Sequence, residues 1–272
     1  MLGRRPTAFV LTSSNHGTMI VNRHDYHIPD GVNGYGVGYQ LLNTSCFDPE
    51  EVDFALAMLT LRRQYFGDGV VGIDCGANLG VHTIEWSKHM HGWGNVHAFE
   101  AQERIYYALA GNIAINNCLN ASAYYAAVGA ECGQIQIPIA DSLVPASFGS
   151  LEIKPSNTNE FIGQALDYSE EAMQTVELRS LDAFGLPRVD FIKIDVEGME
   201  TDVLAGAAET IARCKPAMMI EIIKTDKEKV EQFLLENQYK IYPMGINILA
   251  VHESDEIIQH LVMNDGLLSL KF

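Results

Sequence analysis

Basic residues are scarce in this 272-residue chain: 18 lysines and arginines stand against 35 aspartates and glutamates, a formal net charge of −17. Such a surface repels nucleic acid and anionic lipid headgroups. No basic patch offsets it, the longest basic runs being the pairs Arg4-Arg5 and Arg62-Arg63. A small-molecule or neutral glycan partner suits this charge better than DNA or RNA. Cysteine is sparse too. Cys46, Cys75, Cys118, Cys132 and Cys214 stand singly with no CxxC pair, which argues against a zinc ribbon or a disulfide framework and for reduced thiols. No apolar run approaches the roughly 20 residues that a spanning helix needs, and residues 1–10 lack the ordered regions of a signal peptide. A soluble, cytoplasmic protein is therefore expected, with homo-oligomerisation left open. The P-loop, the GxSxG nucleophile elbow and the GxGxxG dinucleotide fingerprint are missing as well.

What is present is a chain 47% hydrophobic and 19% charged, enough for one large or two small cores. Residues 8–28 alternate apolar and polar around Asn15-His16-Gly17, which predicts a β-hairpin. Residues 29–48 hold Gly31, Gly34, Gly36 and Gly38, a density that predicts an ordered loop. Asp48-Pro49-Glu50-Glu51 predicts a helix start, with Asp48 as N-cap, Pro49 in the first turn and Glu51 completing a capping box; the helix should end at Gly67.

From residue 70 onward, short apolar runs (70–74, 95–99, 122–127, 189–195 and 217–223) alternate with helical periods at 80–91, 103–118, 199–213 and 226–237. This is the mark of an α/β fold with parallel strands and crossover helices. The runs 239–244 and 247–252 are separated only by Gly245-Ile246, too short for a crossover, so they must form an antiparallel hairpin. Between the runs at 134–139 and 175–181, about residues 140–175 lack steady periodicity and read as a lid-like insertion. Residues 1–50 are thus expected as an N-terminal hairpin and loop, and 51–272 as the main domain.

The sharpest motif is GIDCGANLGVHT, residues 72–83. A strand ends at Asp74, turns through Gly76 and Gly80, and opens a helix whose N-terminus is a site of positive potential. One strand later comes Glu100, where an acid at a strand end can accept both hydroxyls of a ribose. Two such acids suit a ligand with a ribose and a cationic tail. A second constellation is KIDVEG, residues 193–198, followed at the next strand end by Glu221. Asp195, Glu197 and Glu221 there can surround an acceptor as general base, or Asp195 and Glu221 can serve as oxygen ligands for a divalent cation such as magnesium. Alternatively, Lys193 simply neutralises Asp195 and Glu197 caps the next helix.

The histidine pairs His24/His27 and His89/His91 lack an HExxH arrangement, which leaves them structural or surface roles. Tyr35, Tyr39 and Trp93 are candidates for stacking on a sugar or aromatic acceptor, although packed aromatics are commoner.

Four blocks in order, IDCGANLG, AFEAQ, SLDAFG and the pair FIKIDVEGMETDVLAGA with AMMIEI, resemble the FkbM family of S-adenosylmethionine-dependent methyltransferases over about residues 70–223. The resemblance implies a doubly wound, Rossmann-like, mostly parallel methyltransferase sheet finished by the C-terminal hairpin. It implies S-adenosylmethionine as cofactor, with Asp74, Gly76, Asn78 and Gly80 shaping the cofactor loop and Glu100, with Ala101 beside it, holding the ribose. Gln102 replaces the family's usual proline, a modest departure. Asn112, Asn116 and Asn117 also resemble the family's pattern, with helix-end capping as the simpler reading. The implied reaction is O-methylation of a hydroxyl on a sugar, in a polysaccharide or glycolipid, or on a secondary metabolite. Two rivals stand beside it: a nucleotide-dependent oxidoreductase on the same sheet, and a non-catalytic cofactor-binding module.

Overall fold

The computed structural model describes residues 6–155, 159–264 and 266–271. Strands β1 (Phe9–Ser14) and β2 (Gly17–Asn22) form the expected hairpin. The loop expected over 29–48 contains a helix, α1 (Val37–Thr44). Its glycines stop at Gly38, and the tyrosine, glutamine and leucines that follow favour a helix. Asp25, buried beneath it, accepts the Gly38 N–H at 2.7 Å and starts the turn. Helix α2 (Pro49–Phe66) ends at Gly67 as expected, yet its capping box is not made. Asp48 adopts a left-handed backbone (φ 33°) and its carboxylate accepts from Gln40, while Glu51 turns inward.

The chain continues through β3 (Val70–Cys75), α3 (Val81–His89), β4 (Gly94–Glu100), α4 (Glu103–Ile115), β5 (Ala121–Tyr125), β6 (Ala127–Val128), β7 (Gly133–Pro138) and β8 (Met173–Arg179). Then follow β9 (Phe191–Ile194), α5 (Glu200–Ala205), α6 (Ala208–Cys214), β10 (Ala217–Glu221) and α7 (Lys227–Glu236). Two hairpins close the chain, β11 (Tyr239–Met244) with β12 (Asn247–His252) and β13 (Leu261–Asn264) with β14 (Leu267–Leu270).

Among the described residues, seven strands form the central sheet in the order β11-β12-β10-β9-β3-β4-β5. Pairs β3–β4, β3–β9, β4–β5 and β9–β10 are parallel; β12 runs antiparallel between β10 and β11. Strands covered on both faces carry near-continuous apolar runs, which is why β9 and β10 read as hydrophobic stretches interrupted only by Lys193 and by Glu221 at the end of β10. Alternation still sorts their side chains: Ile192, Ile194, Met218 and Ile220 pack on one face, Phe191, Ala217 and Met219 on the other. Each large apolar side chain buried this way stabilises the sheet by about 1.5–3 kcal/mol.

The helix expected over 199–213 is broken into α5 and α6. Gly206 lies against the Gly129 carbonyl, and the Asp182 carboxylate accepts the N–H groups of Glu209 (3.0 Å) and Thr210 (2.8 Å), capping a second helix start. Strands β6, β7 and β8 form a separate small sheet. The described residues of 140–175 hold two 3-10 turns, the start of β8 and little other regular structure. Ala146, Phe148, Leu151, Ile153 and Ile162 are nevertheless buried against the N-terminal hairpin. Asp25 ties the two together by accepting the Phe148 N–H at 3.0 Å as well, and its burial raises that carboxyl to about 6. The segment is a packed strap, and its lack of period reflects side-chain anchoring in place of a backbone ladder. No helix among the described residues is long and apolar enough to cross a membrane.

The chain proceeds from β3 outward to β4 and β5, then returns to the other side of β3 with β9 and β10. Crossovers on the two sides of this reversal diverge, and a crevice opens at the carboxyl ends of β3 and β9.

Candidate active site

A cavity of about 480 Å³ occupies that crevice, within the range of small-molecule sites. On one side it is lined by the turn after β3. Asp74 is 1% exposed; its Oδ2 accepts from Thr83 Oγ1 at 2.6 Å, while Oδ1 is buried without a hydrogen-bond partner among the described residues. Gly76 has φ 80°, and a Cβ there would lie 1.8 Å from the Asp195 carbonyl oxygen, so only glycine fits. Glu100, at the end of β4, is 5% exposed. Its Oε2 accepts the Asn78 N–H (3.0 Å) and its Oε1 the Gln102 N–H (2.7 Å). Burial outweighs these bonds and pushes its carboxyl up to about 7. Asp74, Gly76, Asn78, Glu100 and Ala101 all line the cavity. Gly80 lies behind it as the left-handed residue that opens α3.

Asn112 does more than end a helix. Fully buried, it accepts the Ile20 N–H at 2.5 Å and donates to Ile20 O (3.1 Å) and Leu79 O (2.8 Å), binding β2 to the turn after β3.

The opposite wall gathers the second constellation. Carboxylate oxygens of Asp195, Glu197 and Glu221 lie within 4.8 Å of one another. Lys193 donates to Asp195 Oδ2 at 2.6 Å. The alternative role read for Glu197, capping the next helix, is not made, since α5 has no side-chain cap; Glu200, its first residue, ties the preceding turn instead, its Oε1 accepting the N–H groups of Val196 (3.1 Å) and Gly198 (3.2 Å). Glu197 itself is swung away by a left-handed backbone (φ 53°) and pairs with Lys224 Nζ at 2.8 Å. Burial, then the Asp195 charge, pushes the Glu197 carboxyl up to about 8. Burial, then Asp195 and Glu197, pushes Glu221 up to about 9. Burial alone would disfavour the Lys193 cation, but the charges of Asp195, Glu51 and Asp74 hold its pKa above the ordinary lysine value.

Several lining residues were not expected from sequence. Glu51 Oε2 accepts from Asn247 Nδ2 at 2.7 Å, and its Oε1 lies 3.3 Å from His82 Nε2. Burial works to raise the Glu51 carboxyl, but the His82 contact and the Lys193 charge outweigh it and lower it. Lys224 also pairs with Glu160 of the strap at 2.8 Å and donates to Ser150 O at 2.9 Å; Tyr35 donates to Glu160 at 2.6 Å. The strap is thereby clasped over the cavity. Of the aromatic candidates, Tyr35 lines the cavity; Trp93 lies under Arg63, 4.6 Å from the guanidinium, and neither it nor Tyr39 lines it. His24, His27, His89 and His91 stay outside the lining as well.

A family model described as the methyltransferase FkbM domain matches residues 74–241. Methyltransferase 1 of Beauveria bassiana is 26% identical over 171 residues, 57% of this chain and 67% of that protein. Methyltransferase sdnD of Sordaria araneosa is 25% identical over 160 residues, 50% of this chain and 60% of that protein. Among solved structures, methyltransferase FkbM from Methylobacillus flagellatus aligns with a TM-score of 0.49 at 16% identity, covering 71% of this chain and 48% of that one. The chain thus spans about half the length of that solved enzyme. A precorrin-6y C5,15-methyltransferase from Geobacter metallireducens aligns at 0.41 and 15%, covering 82% and 94%.

Proposed function

The chain belongs to the FkbM methyltransferase family, and on that premise we propose that it is an S-adenosylmethionine-dependent O-methyltransferase acting on a hydroxyl of a sugar, in a polysaccharide or glycolipid, or of a secondary metabolite. The observation that carries this reading is one cavity with a buried carboxylate pair on one wall and a carboxylate cluster on the other.

The residues suit the cofactor. Asp74 Oδ1 is a buried acceptor awaiting a donor, and an isolated buried carboxylate oxygen is costly unless a ligand amine or hydroxyl meets it. Glu100, fixed by two backbone N–H groups, can still accept ribose hydroxyls. When bound, S-adenosylmethionine supplies a methyl group on a sulfonium that already leaves well. The protein's task is then alignment, exclusion of water and proton removal. Lys193 fixes Asp195 at the cavity wall, and the hydroxyl proton of the acceptor enters the Asp195, Glu197, Glu221 cluster as its oxygen attacks. The strap, clasped by Lys224 and Glu160, shields the reacting groups from solvent.

No divalent cation is needed for this chemistry. Two of the three carboxylates already hold a lysine ammonium, which disfavours a doubly charged ion beside them. Family membership and the missing dinucleotide fingerprint both weigh against the oxidoreductase reading.

Calorimetric titration with S-adenosylmethionine, S-adenosylhomocysteine and NAD tests the proposal. Binding of the first two alone is expected, followed by methyl transfer to a hydroxyl in a glycan and metabolite screen. Binding of NAD instead would overturn it, and cofactor binding with no turnover on any hydroxyl would favour a non-catalytic module.

A further inference from the structure

Eight carboxylates line the cavity, among the described residues, against two lysines and no arginine. Asp74 and Glu100 stand at the end assigned above to the cofactor. Glu51, Glu160, Asp195, Glu197 and Glu221 surround the rest, and both lysines are already engaged by them: Lys193 with Asp195 at 2.6 Å, Lys224 with Glu197 and Glu160 at 2.8 Å each. A phosphate or carboxylate on an acceptor would find no unengaged cation there and would face several negative charges in a poorly solvated space.

A separate feature marks this wall as a ligand surface. His82 is 4% exposed and lines the cavity, yet its Nε2 makes no hydrogen bond among the described residues, Glu51 standing 3.3 Å away. The crowding of acids favours a proton on Glu197 and on Glu221, whose carboxyls are raised by burial and then by the Asp195 charge. A bound ammonium can replace such a proton one for one and offers up to three donors to the same oxygens. A divalent ion would have to sit beside two lysine ammoniums or displace them.

We infer that the acceptor side of the cavity selects a hydroxyl-bearing acceptor that also carries a protonated amine, seated among Asp195, Glu197 and Glu221, and excludes acceptors carrying carboxylate or phosphate. This inference rests on the methyltransferase reading of the same cavity.

The test uses the full chain, treated with EDTA and loaded with S-adenosylhomocysteine, with binding of glucosamine, glucose and glucuronate followed by saturation-transfer NMR near neutral pH. Glucosamine should bind at least about tenfold more tightly than glucuronate, with glucose between them. In Glu197→Gln/Glu221→Gln the gap should shrink to about twofold; should the double variant fail to fold, Glu221→Gln alone should narrow it at least about threefold. Equal or tighter binding of glucuronate, no binding of glucosamine to the loaded protein, or an amine preference indifferent to these variants would each overturn the inference. Displacement of glucosamine by millimolar magnesium would overturn it in favour of a metal site. Failure of S-adenosylhomocysteine to bind is a different outcome, since it removes the cofactor reading and the acceptor assignment together.

Discussion

Asp74, Gly76, Asn78 and Glu100 reach the cavity from a single strand, helix, strand stretch, and backbone N–H groups hold Glu100 in place. The facing wall has no such economy. Glu51 comes from α2, Glu160 from the strap, Asp195 and Glu197 from the end of β9, Glu221 and Lys224 from the end of β10, and Asn247 from β12. Side-chain ion pairs between segments far apart in sequence hold them. Of the residues named on the two walls, Glu51 and Asn247 alone fall outside the stretch that matches the family, residues 74–241; Asp74, Glu100, Glu160, Asp195, Glu197, Glu221 and Lys224 fall inside it.

The two walls meet where Gly76 touches the Asp195 carbonyl, so a side chain there should damage both at once. Gly76→Ala is expected to cost about 3 kcal/mol of stability and to abolish cofactor binding; urea unfolding and calorimetry check it, and a stable variant that binds normally would separate the walls. Asp195→Asn should lower kcat about 100-fold while leaving the affinity for S-adenosylhomocysteine unchanged. Parallel loss of cofactor affinity would instead show that the walls act as one. Glu100→Ala should do the reverse, weakening cofactor binding by about 1–3 kcal/mol and sparing the response of the acid cluster to pH.

That response has a defined sign. Glu197 and Glu221 carry folded-state values of about 8 and 9, above those of an unfolded chain, so their contribution to stability is complete at acid pH and is lost as pH rises toward 8 to 9. The melting temperature should fall across that window, and Glu221→Gln should flatten the fall; an identical slope in the variant would remove Glu221 from the cluster. The smallest effect is expected from exhaustive chelation, which should leave methyl transfer intact, and a loss restored by magnesium would reinstate a metal at Asp195 and Glu221.

The contrast between the walls also explains what the sequence made legible. Parallel strands buried on both faces announce themselves as apolar runs, and a turn that needs glycine writes its requirement at Gly76 and in the acids on either side. Glu51 was hidden because an acid in the first turn after Asp48-Pro49 has a sufficient local use as a cap, and only the left-handed backbone at Asp48 turns it inward. His82 sits in a helix with nothing in its neighbours to separate a lining residue from a core one. The break between α5 and α6 depends on Asp182, a cap supplied from a different segment. Local physics leaves a periodic trace, while pairings made through space leave none until the chain is folded.

The position of β12 has a bearing on biosynthesis. It is the last of the seven strands to be made and yet lies between β10 and β11. During translation the β10 edge therefore stays unpaired until residues 247–252 have emerged, an open edge of the kind that recruits other chains. A ribosome stalled before Asn247 would release a polypeptide with its family motifs present, its sheet unclosed and Glu51 without its amide partner, so C-terminal truncations should be lost to aggregation before they are lost to inactivity.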